Sequence, residues 1–399
     1  MSLDVVIVGA ARTPIGRYGG TLRQTHPAEL GGRAARAALD RAGVAPADVD
    51  EVIVGHARQA GSGPNPGRQV ARRAGLPDEV PAYTVNQACA SSLQAVALGA
   101  QAIATGQSRV VLAGGIESMS RMPYLVDSED ARWGHKMGNF TLVDAMYRDG
   151  FTCALSGLIM GQTAEILARD YGITRDASDA YALESQRRAE AAIAAGRFRD
   201  EITPAPGHDA KGRPVELEVD EHPRAGTTIE SLRKLPLVFP EVEGHPGIIT
   251  AGSASGITDG GAALVLMHAD EAARRGVTPL ARIDAWATTG VDPRIMGIGP
   301  VPAVRKLLAR TGAEIADFDL VELNEAFAPQ VLAVLRDVPI DPARMNVNGG
   351  AIAIGHPIGA TGARILVTLI YEMARRDVRR GLATLCVSGG LGMAMAVSR

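Results

Sequence analysis

Two stretches of the chain repeat one another in order, and this repetition restricts the possible fold more than any other feature. Residues 48–57 (DVDEVIVGHA) resemble residues 317–326 (DFDLVELNEA) in residue type at almost every position. A Val-Asn pair follows in each half, at 85–86 and at 347–348, before a helical pattern and a β-type run that closes on Gly-Gly. Landmarks that recur in the same order indicate a duplicated βα unit.

Short β-type runs alternate with helical patterns in both halves, which is typical of a layered α/β fold. The spacing of apolar residues predicts the individual elements. The predicted strands are 4–9, 51–54 and 109–113, the last ending at Gly114-Gly115, and the predicted helices are 27–42, 91–105 and 361–376.

The stretch 120–247 between the halves differs in amino-acid composition: it contains charged residues, Pro and Gly, and one long helical pattern. Thr174 is a suitable N-cap for that helix and Gly196 a suitable stop. An inserted domain is expected here rather than a linker, because one helix face can be apolar. The residues of that face are Ala182, Ala189, Ala192 and Ile193.

Length, charge and cysteine content exclude several classes of protein. The 399 residues exceed the roughly 250–300 at which a single core stops growing, so at least two folding units are expected. A net charge of −3 argues against a nucleic-acid partner. Apolar runs fall short of the ~20 residues of a membrane span, and no secretory signal opens the chain. With only three scattered cysteines, the sequence predicts a cytoplasmic, reduced protein without a metal site.

Cys89 is the first candidate for chemistry. It stands just before a predicted helix, where the positive end of the helix dipole and free N–H groups favour a thiolate. The alternative is a small residue buried in the core, which is the commoner role of a single cysteine.

Three residues of the second half are further candidates. His356 lies in a glycine-rich loop that allows a ligand to approach the backbone, although neither nucleotide-binding glycine motif is present. Cys386 closes a β-type run just before Gly389-Gly390, and Asn324 ends another. Alone, a strand cysteine is a core residue and an Asn a turn former; Cys153 is interpreted as structural.

Together these motifs resemble the thiolase family over nearly the whole chain, from Arg12-Thr-Pro-Ile-Gly16 to Gly392. The motifs are Cys89 in N-x-x-C-x-S, Asn324 in N-E-A-F, His356 in G-G-x-x-x-x-G-H-P-x-G-x-[ST]-G and Cys386 in C-x-x-G-G-x-G, together with GGIESM at 114–119, MGQTAE at 160–165 and TAGSASG at 250–256.

The resemblance implies an α/β fold with a duplicated βα core, layered α-β-α-β-α, and an inserted, mostly helical loop domain that binds CoA. The N-terminal half would comprise residues 1–119, completed by 248–270. The loop domain would be 120–247 and the C-terminal half 271–399. A homodimer or homotetramer is likewise implied.

The implied activity is CoA-dependent cleavage of 3-ketoacyl-CoA, or the reverse Claisen condensation. Cys89 would carry the acyl group as a thioester, His356 would accept its proton, and Cys386 would move the proton at the α-carbon. Asn324, through a water, and His356 would stabilise the enolate. Backbone N–H groups of Cys89 and Ser388 would form a second oxyanion site. CoA would be a substrate, and no cofactor is implied.

The resemblance also implies substrate contacts at matching positions. Arg224 would contact the adenine and Ser255 the pantetheine, and the pocket would be lined by Ala251, Met296 and Phe327. Three residues depart from the family pattern. Ser388 and Ser92 stand where many members have glycine, and Ile159 stands where acetoacetyl-CoA-specific members often have histidine. The apolar Ile159 favours longer or branched acyl chains, hence a degradative or broad-range enzyme, as in fatty-acid β-oxidation.

Three alternatives are open at this stage. A ketoacyl-synthase-type enzyme would need two histidines, where this chain offers Asn324 and His356 with a second cysteine. A catalytically silent CoA- or lipid-binding relative, or a scaffold subunit, would be supported only by Ser388. An NAD-dependent oxidoreductase lacks its glycine motif.

Overall fold

The structure is a computed structural model that describes residues 4–399. Its strands are β1 (Val5–Arg12), β2 (Gly16–Arg17), β3 (Glu51–His56), β4 (Ala82–Val85), β5 (Val110–Ser118), β6 (Tyr124–Leu125), β7 (Val143–Asp144), β8 (Ala205–His208), β9 (Pro214–Leu217), β10 (Glu241–Val242), β11 (His245–Pro246), β12 (Thr258–His268), β13 (Ala281–Gly290), β14 (Leu320–Leu323), β15 (Arg380–Val387) and β16 (Leu391–Ser398). Its α-helices are α1 (Pro27–Ala42), α2 (Pro66–Arg73), α3 (Ser91–Ala104), α4 (Met160–Asp170), α5 (Arg175–Ala194), α6 (Ile229–Arg233), α7 (Ala269–Arg275), α8 (Pro300–Thr311), α9 (Ala328–Asp337), α10 (Ala351–Ile354) and α11 (Thr361–Arg376).

The large sheet consists of two similar halves. Strands β4-β3-β5-β12-β1 form the first half, and β13-β16-β15-β14 form the second. The halves join where β1 pairs antiparallel with β13 through Val6–Arg282 and Ile7–Ala281. Pairing is parallel between β3 and β5 and likewise between β14 and β15. The same strand relationships thus occur twice.

Local structure repeats in the same way, which confirms the duplication. A 3-10 turn precedes β3 at Pro46–Asp48 and β14 at Ile315–Asp317. Another 3-10 turn leads directly into each of the helices α3 and α11, at Ala88–Ala90 and Ile358–Ala360.

Three buried clusters define the layers. The central cluster contains α3 and α11, which contact each other between the two halves of the sheet. A second cluster packs α1 and α2 against the outer face of the first half. A third packs α8 and α9 against the outer face of the second half. This is the predicted α-β-α-β-α order, and it places the first turns of both central helices inside the molecule.

Several elements run longer than predicted. β1 continues to Arg12 and β3 to His56, and β5 runs through Gly114-Gly115 to Ser118 instead of ending there. Gly114 and Gly115 allow other backbone segments to approach β5 closely. A Cβ at Gly114 would lie 2.2 Å from the oxygen of Ala262, and one at Gly115 would lie 2.4 Å from the oxygen of Gly359. Close packing, rather than a turn, therefore requires glycine at both positions.

The stretch 120–247 holds α4, α5 and α6, and also three two-stranded ribbons, so it is helical in only part of its length. Thr174 caps α5 by accepting the N–H of Ala177, and the helix ends just before Gly196. The predicted apolar face packs on α10 and α9: Ala189 and Ala192 are buried with Ala353 and Ile354, and Ala182 with Ile352. The inserted stretch therefore supports the loop that carries His356.

β12 returns after the inserted stretch and lies between β1 and β5, so residues 258–268 complete the first half of the sheet. No helix within residues 4–399 combines the length and apolar character needed to cross a bilayer.

Candidate active site

Cys89 lies in the 3-10 turn that leads into α3, as the sequence predicts. The turn is tight, since Ala88 has a φ of +43°, and Asn86 supports it by accepting the N–H of Ala88 at 3.0 Å. Ser91 adds a second link, because its hydroxyl accepts the N–H of Gln87 at 2.9 Å. The cysteine is 9% exposed.

Opposing effects act on the Cys89 thiol. Burial raises its pKa, and the charge of Glu117 acts in the same direction. The Arg58 guanidinium and the backbone N–H groups of Ser388 and Cys89 itself lower the pKa. The two N–H groups face the sulfur, and these are the donors expected for an oxyanion formed there. Cys89 therefore rests as a thiol beside groups that stabilise negative charge.

His356 belongs to the loop between α10 and α11. Gly355, with a φ of +113°, turns the chain immediately before it, and the His356 N–H donates to the oxygen of Gly256 at 3.1 Å. A Cβ at Gly355 would lie 2.4 Å from the Thr258 side chain, so both packing and conformation require glycine there.

The imidazole of His356 is neutral. Burial lowers its pKa to about 3, and the nearby charges of Arg364 and Arg58 act in the same direction. Its Nδ1 lies 2.7 Å from the hydroxyl of Thr361, and that hydroxyl donates its single hydrogen to the oxygen of Pro357 at 3.0 Å. Nδ1 therefore carries the ring hydrogen and donates it to Thr361. This tautomer leaves Nε2 free to accept a proton.

Asn324 directly follows β14, and its N–H donates to the oxygen of Thr384 on β15 at 3.0 Å. The side chain is 1% exposed, yet neither amide atom has a hydrogen-bond partner in the protein. Buried amides are nearly always paired. The Asn324 amide is thus available to hold a water or a substrate oxygen.

Cys386 lies near the end of β15 and is 1% exposed. Burial raises the pKa of its thiol, and the neighbouring Cys89 raises it further. Cys386 is therefore a proton-bearing thiol close to Cys89. It packs in a small cluster that also contains Cys153, Met160, Met296 and Phe327.

The Ser388 departure does not strain the backbone. Positive φ angles occur at the next two residues, +88° at Gly389 and +83° at Gly390, and not at Ser388. A Cβ at Gly390 would lie 2.3 Å from the oxygen of Val291. The conformational demand for glycine thus begins one residue later, and Ser388 keeps its N–H directed at Cys89.

Two buried carboxylates, Glu117 and Glu325, link separate segments of the site through hydrogen bonds. The sequence alone does not point to a role for either. Glu117 accepts the N–H groups of Arg58 at 3.3 Å and Gly359 at 2.9 Å. Glu325 accepts hydrogen bonds from α5, from Asn346 and from the N–H of Ile352. A Cβ at Gly350 would lie 2.2 Å from the Glu325 carboxyl carbon. The only signal in the sequence is that each residue falls within a family motif.

A cavity of about 320 Å³ opens beside His356 and is mostly apolar. Three residues named from the sequence line it: Ile159, Ser255 and Phe327. Tyr147 and Phe151, from a single turn of π-helix, form part of its wall. Its size and lining suit an acyl chain with its polar end at the histidine.

Arg224 and Ala251 line a second cavity, of about 310 Å³. Arg224 is exposed, and its backbone N–H donates to Gln186 of α5 at 3.0 Å. Met296 lines neither cavity and is instead buried in the same cluster as Cys386. The sequence-derived residues thus divide into a group around Cys89, an apolar cavity beside His356 and a second cavity. No cluster of three His, Cys, Asp or Glu side chains arranged for a metal ion occurs within residues 4–399.

Comparisons with known proteins agree with this geometry. The family model described as "Thiolase, N-terminal domain" matches residues 5–270, and "Thiolase, C-terminal domain" matches residues 277–399. The chain is 53% identical over 396 residues to an acetyl-CoA acetyltransferase of Rhizobium meliloti, covering 99% of both proteins.

Solved structures are similar over the same extent. The acetyl-CoA acetyltransferase of Bacillus anthracis has a TM-score of 0.94 and 44% identity, with 99% of this chain and 98% of that chain covered. Human mitochondrial 3-ketoacyl-CoA thiolase has a TM-score of 0.93 and 43% identity, with the same coverage. The chain is an acyltransferase that belongs to the thiolase family.

Proposed function

We propose that this thiolase cleaves 3-ketoacyl-CoA with CoA, and runs the reverse condensation, through an acyl thioester on Cys89. The observation that carries the assignment is the environment of that sulfur: it faces the N–H group of Cys89 itself, in the turn before α3, and the N–H group of Ser388, which directly follows β15. A neutral histidine with a free Nε2 is the base that such a nucleophile needs.

The first half-reaction uses groups from both halves of the chain. Nε2 of His356 takes the Cys89 proton, and the thiolate attacks the 3-keto carbon. The two N–H groups hold the resulting oxyanion. The C2–C3 bond then breaks, which leaves the acyl group on Cys89 and an acetyl-CoA enolate. The Asn324 amide, through a water, and His356 stabilise the enolate oxygen.

Cys386 completes the half-reaction by donating its proton to C2 of the enolate, which releases acetyl-CoA. The Cys386 thiolate then takes the proton of an incoming CoA thiol. The CoA sulfur attacks the Cys89 thioester, and Cys89 departs as thiolate and recovers a proton from His356. CoA is thus a substrate, and the scheme needs no cofactor.

The acyl range is proposed from the cavity beside His356. Its walls are apolar around Ile159, and about 320 Å³ accommodates more than an acetyl group. We assign Ser255 and Phe327 to the pantetheine and acyl contacts, and Arg224 and Ala251 to the CoA end. Met296 lies in one buried cluster with Phe327, which lines the cavity, and we assign it to the support of that wall. A preference for longer acyl chains would favour a degradative role for the enzyme, as in fatty-acid β-oxidation.

The setting of the enzyme is part of the same proposal. We place it in the cytoplasm as a homodimer or homotetramer, with acyl-CoA molecules as its partners, without nucleic acid or membrane. We also propose three domains. The N-terminal half comprises residues 1–119 and 248–270, the inserted loop domain 120–247, and the C-terminal half 271–399.

The test is CoA-dependent loss of acetoacetyl-CoA, 3-ketohexanoyl-CoA and 3-ketooctanoyl-CoA, with Cys89→Ala as the blank. Similar kcat/KM values for all three would support the open pocket. Cleavage of acetoacetyl-CoA alone would refute the proposed acyl range. Absence of cleavage with every substrate, branched ones included, would favour the catalytically silent binding protein. A Cys89→Ala variant that is folded and still active would overturn the mechanism.

A further inference from the structure

Arg58 lies between the turn that carries Cys89 and the loop that carries His356. It follows β3 by two residues, and the carbonyl oxygen of its neighbour Ala57 accepts the Asn86 side chain at 3.1 Å. Asn86 in turn accepts the N–H of Ala88, the residue before Cys89. Arg58 is thereby tied to the turn that presents the nucleophile.

The other side of this segment contacts the loop of His356. A Cβ at Gly359 would lie 2.7 Å from the Ala57 nitrogen, so the two backbones touch. Glu117 accepts the N–H groups of both Arg58 and Gly359, which fixes the Arg58 backbone against this loop.

The Arg58 guanidinium is buried and lacks the partners that such a group normally has. The residue is 7% exposed. One nitrogen donates to the oxygen of Gly150 at 2.6 Å, Nε has no acceptor, and no carboxylate within residues 4–399 forms an ion pair with it. A buried cation without a counter-ion destabilises a fold, because its lost hydration is not replaced. A buried charge beside a reactive side chain is therefore a candidate for a functional role.

We propose that Arg58 is a positioning residue that supplies a fixed positive charge to the nucleophilic centre, where it stabilises negative charge on the Cys89 sulfur and on the oxyanion formed there. This role extends the proposed mechanism, which assigns stabilisation of the oxyanion at Cys89 to two backbone N–H groups.

The electrostatic surroundings agree with this role. Among the groups that lower the pKa of Cys89, Arg58 has the largest effect, and Glu117 opposes it. Arg58 also lowers the pKa of His356, as Arg364 does, which keeps the base neutral. Cys386 is a further titratable neighbour of Cys89, and burial keeps its thiol protonated.

Two variants separate the charge of Arg58 from its hydrogen bond. Arg58→Gln removes the charge but keeps a donor for the Gly150 oxygen, whereas Arg58→Lys keeps the charge. Arg310→Gln is the matched control, because Arg310 also donates to a backbone oxygen, that of Trp286 at 2.9 Å, but on the surface.

The measurement is the rate of Cys89 alkylation by iodoacetamide between pH 6 and 10, with the modified peptide identified by mass spectrometry and Cys89→Ala as the blank. Arg58→Gln should react about tenfold more slowly at pH 7, with the profile moved to higher pH. Arg58→Lys and Arg310→Gln should follow the wild type. In turnover, Arg58→Gln should lower kcat with little change in KM.

Two outcomes would overturn the proposal: a wild-type profile for Arg58→Gln, or equal loss in the Gln and Lys variants, which would leave only the Gly150 contact. If Arg58→Gln does not fold, Arg58→Met provides a neutral side chain suited to a buried position, and the same shift is required of it. Alkylation needs no turnover, so its result is independent of whether the proposed reaction is correct.

Discussion

The hydroxyl of Ser92 accepts the backbone N–H of Ala363 at 2.8 Å, so a residue in the first turn of α3 caps the first turn of α11. These are the helices that follow Cys89 and His356. The contact is close, since a Cβ at Gly362 would lie 2.6 Å from the nitrogen of Leu93. Ser92 stands where many members of the family have glycine, and here it adds a direct link between the helix that follows Cys89 and the helix that follows His356.

Cys386→Ala should separate the two proton transfers. Acylation of Cys89 needs only Cys89 and His356, whereas exchange of the α-protons of acetyl-CoA needs the Cys386 thiol. The exchange rate measured by NMR in deuterated buffer should therefore fall far more than the rate of Cys89 acylation measured by mass spectrometry. Equal losses in the two rates would contradict this division of roles.

Thr361→Val should impair the base without weakening substrate binding. The variant removes the acceptor for Nδ1–H of His356, so the ring loses the contact that fixes its tautomer. We expect kcat to fall about 10- to 100-fold, part of the 10²–10⁴ that a positioned base provides, with KM nearly unchanged. Thr361→Ser retains the hydroxyl and should recover most of the rate. Failure of Ser to recover more than Val would argue against the hydrogen bond.

His356→Asn should make the fold less sensitive to acid. The histidine has a pKa of about 3 when folded and an ordinary value near 6.5 when unfolded, so the unfolded state binds the extra proton. Its neutral form therefore supports the fold fully above pH 6.5, and this support is lost as pH falls towards 3. At pH 5 the loss is about 2 kcal/mol.

The measurement is urea unfolding of wild type and His356→Asn at pH 5 and pH 8. The variant should gain about 2 kcal/mol relative to wild type on going from pH 8 to pH 5. His245→Asn, at an exposed histidine, is the control. A constant difference between His356→Asn and wild type at both pH values would refute the assignment.

Ile159→His should narrow the acyl range. A polar ring in the wall of the apolar cavity removes contacts to a longer chain, and each lost CH₂ burial is worth about 0.8 kcal/mol. The ratio of kcat/KM for 3-ketooctanoyl-CoA to that for acetoacetyl-CoA should fall about tenfold or more. Ile159→Leu, which preserves apolar volume, should keep the ratio. An unchanged ratio in the histidine variant would place the acyl chain elsewhere.

Much of the fold follows from patterns that are local in sequence. The helix 361–376 has the predicted bounds, and α3 ends one residue earlier than predicted. The duplication was visible because each half keeps its own Asp-rich turn, Val-Asn pair and Gly-Gly. β5 was predicted too short because glycine in sequence usually marks a turn, whereas Gly114 and Gly115 are selected by the distant backbones of Ala262 and Gly359.

The proposed catalytic residues can also be identified from the sequence, because each stands in a short motif. They are Cys89, Asn324, His356 and Cys386. Arg58 and Thr361 were not assigned roles, since what each does depends on a partner seen only in the structure. Arg58 stands 31 residues before Cys89 in the chain. The tautomer of His356 requires knowing that the Thr361 hydroxyl is directed at Pro357.

The duplicated halves contribute unequally to the chemistry. The first half provides Cys89 from the turn before α3, and the second provides Asn324, His356 and Cys386 around α11. Neither half holds the whole set, so neither half alone could carry out the proposed reaction. A chain divided between β12 and β13 should accordingly be inactive as separate fragments, and activity should return only when the two fragments reassemble through the joined halves of the sheet.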